Sequence, residues 1–204
     1  MVVGANVFGY DMHRGNIPAD IMHVDFHDEK FLSNLQRNQP EEGDKMFDML
    51  VCLSLCHGVI IEEDESGNKK YNASSPDELA FINMAKYCKW EYLGINDKNE
   101  LCVQTPNRLL KYQILHTIEF DSNRKRMSVI LEKEDRIYVY CKGADNVIMP
   151  RLRGDNNDVV RVVDESIDKW SREGLRTLLF TKREIEKKDY EKWAKMYARS
   201  LVNL

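Results

Sequence analysis

Two strand-like runs, MSVILE (127–132) and RIYVYCK (136–142), are separated only by a charged stretch within Glu132 to Arg136. Both are rich in β-branched and aromatic residues, and the short charged segment between them reads as the turn of a hairpin. A connection this short joins antiparallel strands only, because a parallel pair needs a crossover of roughly a dozen residues or more. Leu101 to Gln104 and Lys111 to Phe120 add two extended segments just upstream. Helical signals lie on both sides of this block without strict strand–helix alternation. The spacing therefore predicts an α+β fold, a twisted antiparallel sheet with helices packed on it.

The helices announce themselves by their starts and stripes. A short one is expected around Asp28 to Gln36. In a second, Asp44 is placed to cap and Phe47, Leu50, Val51, Ser54 and His57 fall at three- and four-residue spacing, with Gly58 as a stop. SSPDELAFINMAKYCKW carries the strongest start: Ser75 as cap, Pro76 at the first helical position, Glu78 completing a capping box, and an expected end near Tyr87. Beyond the hairpin, Asp145 is placed to cap a short helix that Pro150 ends or kinks. Val160, Val163, Ile167 and Trp170 share a helical face closed by Gly174, LRTLLFTKREI (175–185) reads as one more strand, and a last helix buries Tyr190, Trp193, Ala194, Tyr197 and Leu201. VIIEEDESGNKKYNAS (59–74) reads as two extended pieces around a charged turn at Glu65 to Asn68. With 204 residues and no low-complexity linker, one domain over 1–204 is expected, residues 1–40 being an irregular N-terminal segment of it.

Charge excludes some functions. The net charge is -4, which argues against a broad nucleic-acid or acidic-membrane surface. Five cysteines (Cys52, Cys56, Cys88, Cys102, Cys141) show no paired zinc-like spacing and suit a reducing setting. No apolar run approaches the roughly 18 to 20 residues that cross a bilayer, and the first residues lack the pattern of a secretory signal.

Against this acidic background, FDSNRKRMSVIL (120–131) concentrates Arg124, Lys125 and Arg126 before a strand. Such a triplet often only solvates a strand end. Here Phe120 and Ser122 stand close by, and an aromatic face beside a hydroxyl and cations suits a base stacked on the ring with phosphates reaching toward the cations. Glu78 has two readings, a capping-box carboxylate or an acceptor for the exocyclic amine of adenine. KGAD (142–145) sets Lys142 at the end of the hairpin's second strand, with Gly143 freeing the backbone to turn. GLRTL (174–178) likewise presents Arg176 and Thr177 at the start of a strand. His23, Asp25, His27 and Asp28 match no recognised metal spacing, and Cys52, Cys56 and His57 read as buried thiols beside a core histidine. No covalent or metal-based active site assembles from these motifs.

YNASSPDELAFINMA (71–85), FDSNRKRMSVIL, YCKGADNVI (140–148) and GLRTL, in this order and spacing, resemble the nucleotide-binding domain of P-type ATPases of the phospholipid-transporting, or flippase, subfamily. VFGY (7–10), DFHDEKFLSNL (25–35) and YEKWAKMYARSL (190–201) extend the resemblance over nearly the whole chain. It implies that Phe120 stacks on adenine, that Glu78 contacts the base edge, and that Ser122 and Lys125 line the same pocket. Lys142 would form its floor, and Arg176 with Thr177 would meet the phosphates. Leu79 and Phe81 depart from the family, where smaller or aliphatic side chains are more usual, which bears on helix packing more than on ligand contact.

The resemblance further implies ATP, with Mg²⁺ carried on it, presented to the phosphorylation domain of a parent protein. The partners implied are that domain, the actuator domain, membrane helices and an accessory membrane subunit, with no nucleic acid. The chain lacks the family's DKTGT, TGE and GDGxND motifs and its membrane helices. It is therefore expected to be a cytosolic module of an integral membrane protein, with ATP-driven lipid translocation belonging to the parent. The competing reading is a nucleic-acid-binding module built on Arg124 to Arg126.

Overall fold

The computed structural model describes residues 1–9, 17–26, 28–67, 69–155 and 157–202. Its centre is a six-stranded antiparallel sheet whose strands lie side by side in sequence order from edge to edge, helices intervening only before the last strand. The strands are β5 (Glu91–Ile95), β6 (Glu100–Gln104), β7 (Leu109–Asp121), β8 (Arg126–Lys133), β9 (Arg136–Gly143) and β10 (Leu179–Ile185). The expected hairpin is β8–β9, and its turn narrows to Glu134 and Asp135, both in the left-handed region at φ 51° and 61°. A two-residue turn of that hand matches the right-handed twist of the flanking strands. β5 was not anticipated, because Glu91–Ile95 sits at the sheet edge with a bulge beside Gly94 and lacks a clean alternation.

Helices α1 (Glu29–Arg37), α2 (Lys45–Leu55) and α3 (Pro76–Tyr87) bury one sheet face. Their core joins Phe31, Leu50, Val51, Ile82 and Trp90 to Met127, Val129, Leu131 and Tyr140 of the central strands. α2 is buried at every position from Leu50 to Leu55, so the expected stripe understates it: a helix covered on all sides has no polar face to mark it. Asp28 caps α1 by accepting the Phe31 N–H at 2.8 Å. Asp44 occupies the α2 cap position but turns its carboxylate to the Glu41 N–H instead.

On the opposite face, α6 (Lys187–Val202) sets Tyr190, Trp193 and Tyr197 around His116 of β7, whose cross-strand partner is Ile130. These rings are only half-buried and Leu201 is 56% exposed, so the last helix covers the sheet less completely than expected. With both faces covered, β8 buries Met127 through Leu131 without a break. The short helix α4 (Asp145–Ile148) begins after Ala144 rather than Asp145, whose carboxylate accepts the Asn146 N–H. A 3-10 turn at Met149–Arg151 takes up Pro150, and α5 (Asn157–Arg172) returns to lie near the N-terminal strand β1 (Val2–Val3), which pairs with β2 (Asn6–Val7). That small hairpin lies in the segment read as irregular. The pieces flanking the charged turn are β3 (Ile60–Glu63) and β4 (Lys69–Asn72); Tyr10 of the VFGY match, Asn68 of the turn and His27 of the histidine–aspartate cluster lie outside the described residues.

His57, just beyond α2, is enclosed. Its Nε2 lies 2.7 Å from the Ser54 carbonyl, its Nδ1 accepts the Val59 N–H at 3.1 Å, and Tyr92 packs edge-to-face at 4.8 Å. Burial lowers its pKa from 6.5 to about 4. The unfolded chain takes up this proton below about pH 6.5 while the folded ring resists until about 4, so the stability involved is complete above 6.5 and is lost as pH falls through that window. Titration followed by NMR is expected to place the His57 midpoint near 4, with urea unfolding losing about 3 kcal/mol to this residue between neutral pH and pH 4. A midpoint above 6 would mean that the ring is solvated.

Candidate functional site

Glu78 organises the site, by a route the helix-start pattern did not foresee. Ser75 stands in extended conformation before α3 but makes no side-chain cap bond, and Glu78 does not close a capping box. Its Oε1 instead accepts a hydrogen bond from Lys142 Nζ at 2.8 Å, and its Oε2 accepts the Gly58 N–H at 3.1 Å. The reason lies across the core. Lys142 faces the helix side of β9, only 7% exposed, and a buried ammonium requires a counter-charge far more than a helix end requires its cap. Phe81, one of the two bulky departures from the family just after Glu78, packs edge-to-face on Phe180 at 4.9 Å, its ring centre 5.9 Å from Lys142 Nζ. Phe180 is the cross-strand partner of Lys142, so the lysine runs between apolar walls to reach its carboxylate.

Phe120 is presented by a bulge. Ile118 pairs with Ser128 and Asp121 with Arg126, so Glu119 and Phe120 together face the single residue Met127. An extra residue bends the strand and re-aims its side chains, leaving Phe120 64% exposed. Met127 in turn pairs with Lys142, which puts Phe120 two strands away, about 10 Å by ordinary strand spacing. Glu119 points back toward the ion pair: a methyl added to Gly58 would lie 3.7 Å from Glu78 Oε2 and 3.9 Å from Glu119 Oε2.

The basic triplet divides by role. Asp121 Oδ1 accepts the N–H groups of Asn123 and Arg124, and the turn closes with Lys125 at φ 51°. Arg124 donates to the Glu119 carbonyl at 3.0 Å, bracing the bulge, and Arg126 donates to the Arg124 carbonyl at 3.1 Å. Burial and the nearby Arg124 and Arg151 lower the pKa of Arg126. Ser122 and Lys125 are exposed. The Lys125 carbonyl accepts the Ala144 N–H at 3.1 Å, and a Cβ on Gly143 would lie 2.7 Å from that carbonyl oxygen. Gly143 is thus required by close approach between the turn and the KGAD corner.

Arg176 and Thr177 precede β10, which starts at Leu179, so they lie in a connector rather than in the strand as expected. Arg176 Nη1 donates to Asp77 Oδ2 at 2.8 Å across an exposed surface. The fold therefore brings Glu78 and Lys142 into contact, ties Arg176 to the residue preceding Glu78, and carries Phe120, Ser122 and Lys125 on the adjoining bulge and turn. Asp77, Glu119 and Phe180 were not singled out from the sequence, and Gly58 was read only as a helix stop. Asp77 and Glu119 adjoin chosen residues, but nothing in their spacing shows what they reach; Gly58 and Phe180 are brought in by pairings that span the core.

Residues 45–203 match the family described as P-type ATPase, cytoplasmic domain N. The chain belongs to this family. Among the relatives of this N domain, a phospholipid-transporting ATPase of Schizosaccharomyces pombe is 36% identical over 174 residues, covering 83% of the chain and 12% of that protein. Phospholipid-transporting ATPase DRS2 of Saccharomyces cerevisiae is 36% identical over 172 residues, 82% of the chain and 13% of that protein. Human phospholipid-transporting ATPase ID is 35% identical over 143 residues, 70% of the chain and 12% of that protein. The N domain thus spans about an eighth of the length of these curated relatives. No helix among the described residues is long and apolar enough to cross a membrane.

The Glu78–Lys142 pair has side chains only 13% and 9% exposed. Removing one partner from such a pair strands a buried charge, at a cost of roughly 3 to 5 kcal/mol, whereas replacing both with apolar residues is often close to neutral. Chemical denaturation is expected to show Lys142→Met losing about that much and the Lys142→Met, Glu78→Leu double variant recovering most of it. Equal losses in the single and double variants would show that the pair is not the source.

Proposed function

We propose that this N domain binds ATP on the α3 side of its sheet, with the base against Phe120 and the phosphates toward Arg176. The observation that carries this reading is an aromatic ring held in solvent by a bulge beside a buried, hydrogen-bonded ion pair. A ring so exposed gains nothing from the core, while a stacked base would cover it at roughly 1 to 3 kcal/mol. The carboxylates of Glu78 and Glu119 converge near Gly58 and supply acceptors for an exocyclic amine. Ser122 and Lys125 border the ring, Lys142 forms the floor and Thr177 stands beside Arg176 at the phosphate end.

In the parent protein, the domain presents ATP to the phosphorylation domain, which carries the acceptor aspartate. Phosphoryl transfer depends chiefly on positioning and charge stabilisation, so a carrier that binds without reacting is a workable division of labour. Mg²⁺ travels on the phosphates. The actuator domain, membrane helices and an accessory membrane subunit complete the parent, a phospholipid translocase with this domain in the cytosol. One stacked ring and a few charge-assisted hydrogen bonds support a dissociation constant on the order of 0.1 to several mM. A nucleic-acid surface is disfavoured because Arg124 and Arg126 both donate to backbone carbonyls, leaving Lys125 as the outward member of the triplet.

Amide-shift titration with ATP is expected to give saturable one-to-one binding that Phe120→Ala weakens by roughly 1 to 3 kcal/mol. An exposed ring contributes little to the core, so the variant's unfolding midpoint should stay unchanged. Undiminished affinity in the variant would exclude Phe120 as the base platform.

A further inference from the structure

The first turn of α3 carries two consecutive carboxylates, and each already holds a cation that the ATP reading places in its site. Glu78 holds Lys142 and Asp77 holds Arg176, both at 2.8 Å. The two pairs differ sharply in surroundings. Lys142 and Glu78 are 9% and 13% exposed, with the other carboxylate oxygen fixed by the Gly58 N–H. Arg176 and Asp77 are 75% and 34% exposed, and Arg176 lies in the connector before β10. A buried, doubly bonded pair is costly to open, whereas an exposed, solvent-screened pair exchanges partners readily.

We infer that Asp77 is an affinity-setting residue of the nucleotide site, an internal anion that occupies Arg176 until a nucleotide phosphate displaces it. This rests on the ATP reading above and assigns its two cations different roles. Lys142 stays with Glu78 and holds the floor in place. Arg176 changes partner, giving up one carboxylate oxygen for phosphate oxygens that match its planar fork. The exchange returns Asp77 to solvent as the polyphosphate arrives. Asp77 also keeps the guanidinium near the site while no ligand is bound, and its negative charge weakens phosphate binding by the strength of the contact that must be broken. Adenosine, with no phosphate to offer, leaves the Asp77–Arg176 pair closed.

The test is a double-mutant cycle on the 204-residue chain, with ATP, ADP and adenosine as ligands, read by amide-shift titration. Asp77→Asn removes the charge while keeping the shape of the helix start, and its amide spectrum reports whether the fold is retained. It is expected to tighten ATP and ADP roughly two- to five-fold and to leave adenosine unchanged. In an Arg176→Gln background the same substitution should have no effect on ATP, because the contact it relieves is gone. A gain for ATP that persists in that background would reduce Asp77 to a general repulsive charge and overturn the exchange. Weaker ATP binding by Asp77→Asn would also overturn it, showing that Asp77 aligns Arg176 for the ligand rather than competing with it. Failure of the unsubstituted chain to bind ATP would overturn both this inference and the reading beneath it.

Discussion

A lysine buried near the end of β9, one strand in from the sheet edge, is the constraint around which this domain is arranged. Lys142 points into the helix-covered face beside Phe180 and Phe81, where an unpaired ammonium is untenable. Glu78 supplies the counter-charge only because α3 enters the core with its first turn directly over the end of β9. The position of that helix is therefore an electrostatic requirement as much as a packing one. Gly58, which donates to the second carboxylate oxygen, draws the end of α2 into the same arrangement.

The strands were the most legible part of the sequence. β8 and β9 could be read because short charged turns and unbroken apolar runs are local signals, and locality left only antiparallel pairing. What escaped was decided at a distance. Glu78 fits a capping box on every sequence criterion, yet it bonds a lysine 64 residues away, a partner that no window around Ser75 contains. β5 and the β1–β2 hairpin lacked a period because the one carries a bulge and the other has two-residue strands. α2 misled in the opposite sense: a helix without a solvent face reads as a stripe only if the remaining buried residues are ignored.

The candidate site shows the same division. Its aromatic ring, lysine and arginine were chosen from motifs, but their relations were not. The bulge that exposes Phe120 appears only in the pairing of β7 with β8, where two residues meet one. Arg124 and Arg126 looked like part of a charged surface until their donors were seen to end on backbone carbonyls. A run of cations in sequence is thus not a run of cations in space.

Gly143 gives the end of β9 one further property. Because any Cβ there would meet the Lys125 carbonyl and the Arg126 stem, the loop after Phe120 and the corner after Lys142 are held in close approach, bridged by the Ala144 N–H to Lys125 carbonyl bond. The aromatic ring and the lysine thus sit at the two jaws of a caliper whose opening is set by main-chain contact rather than by pliable side chains.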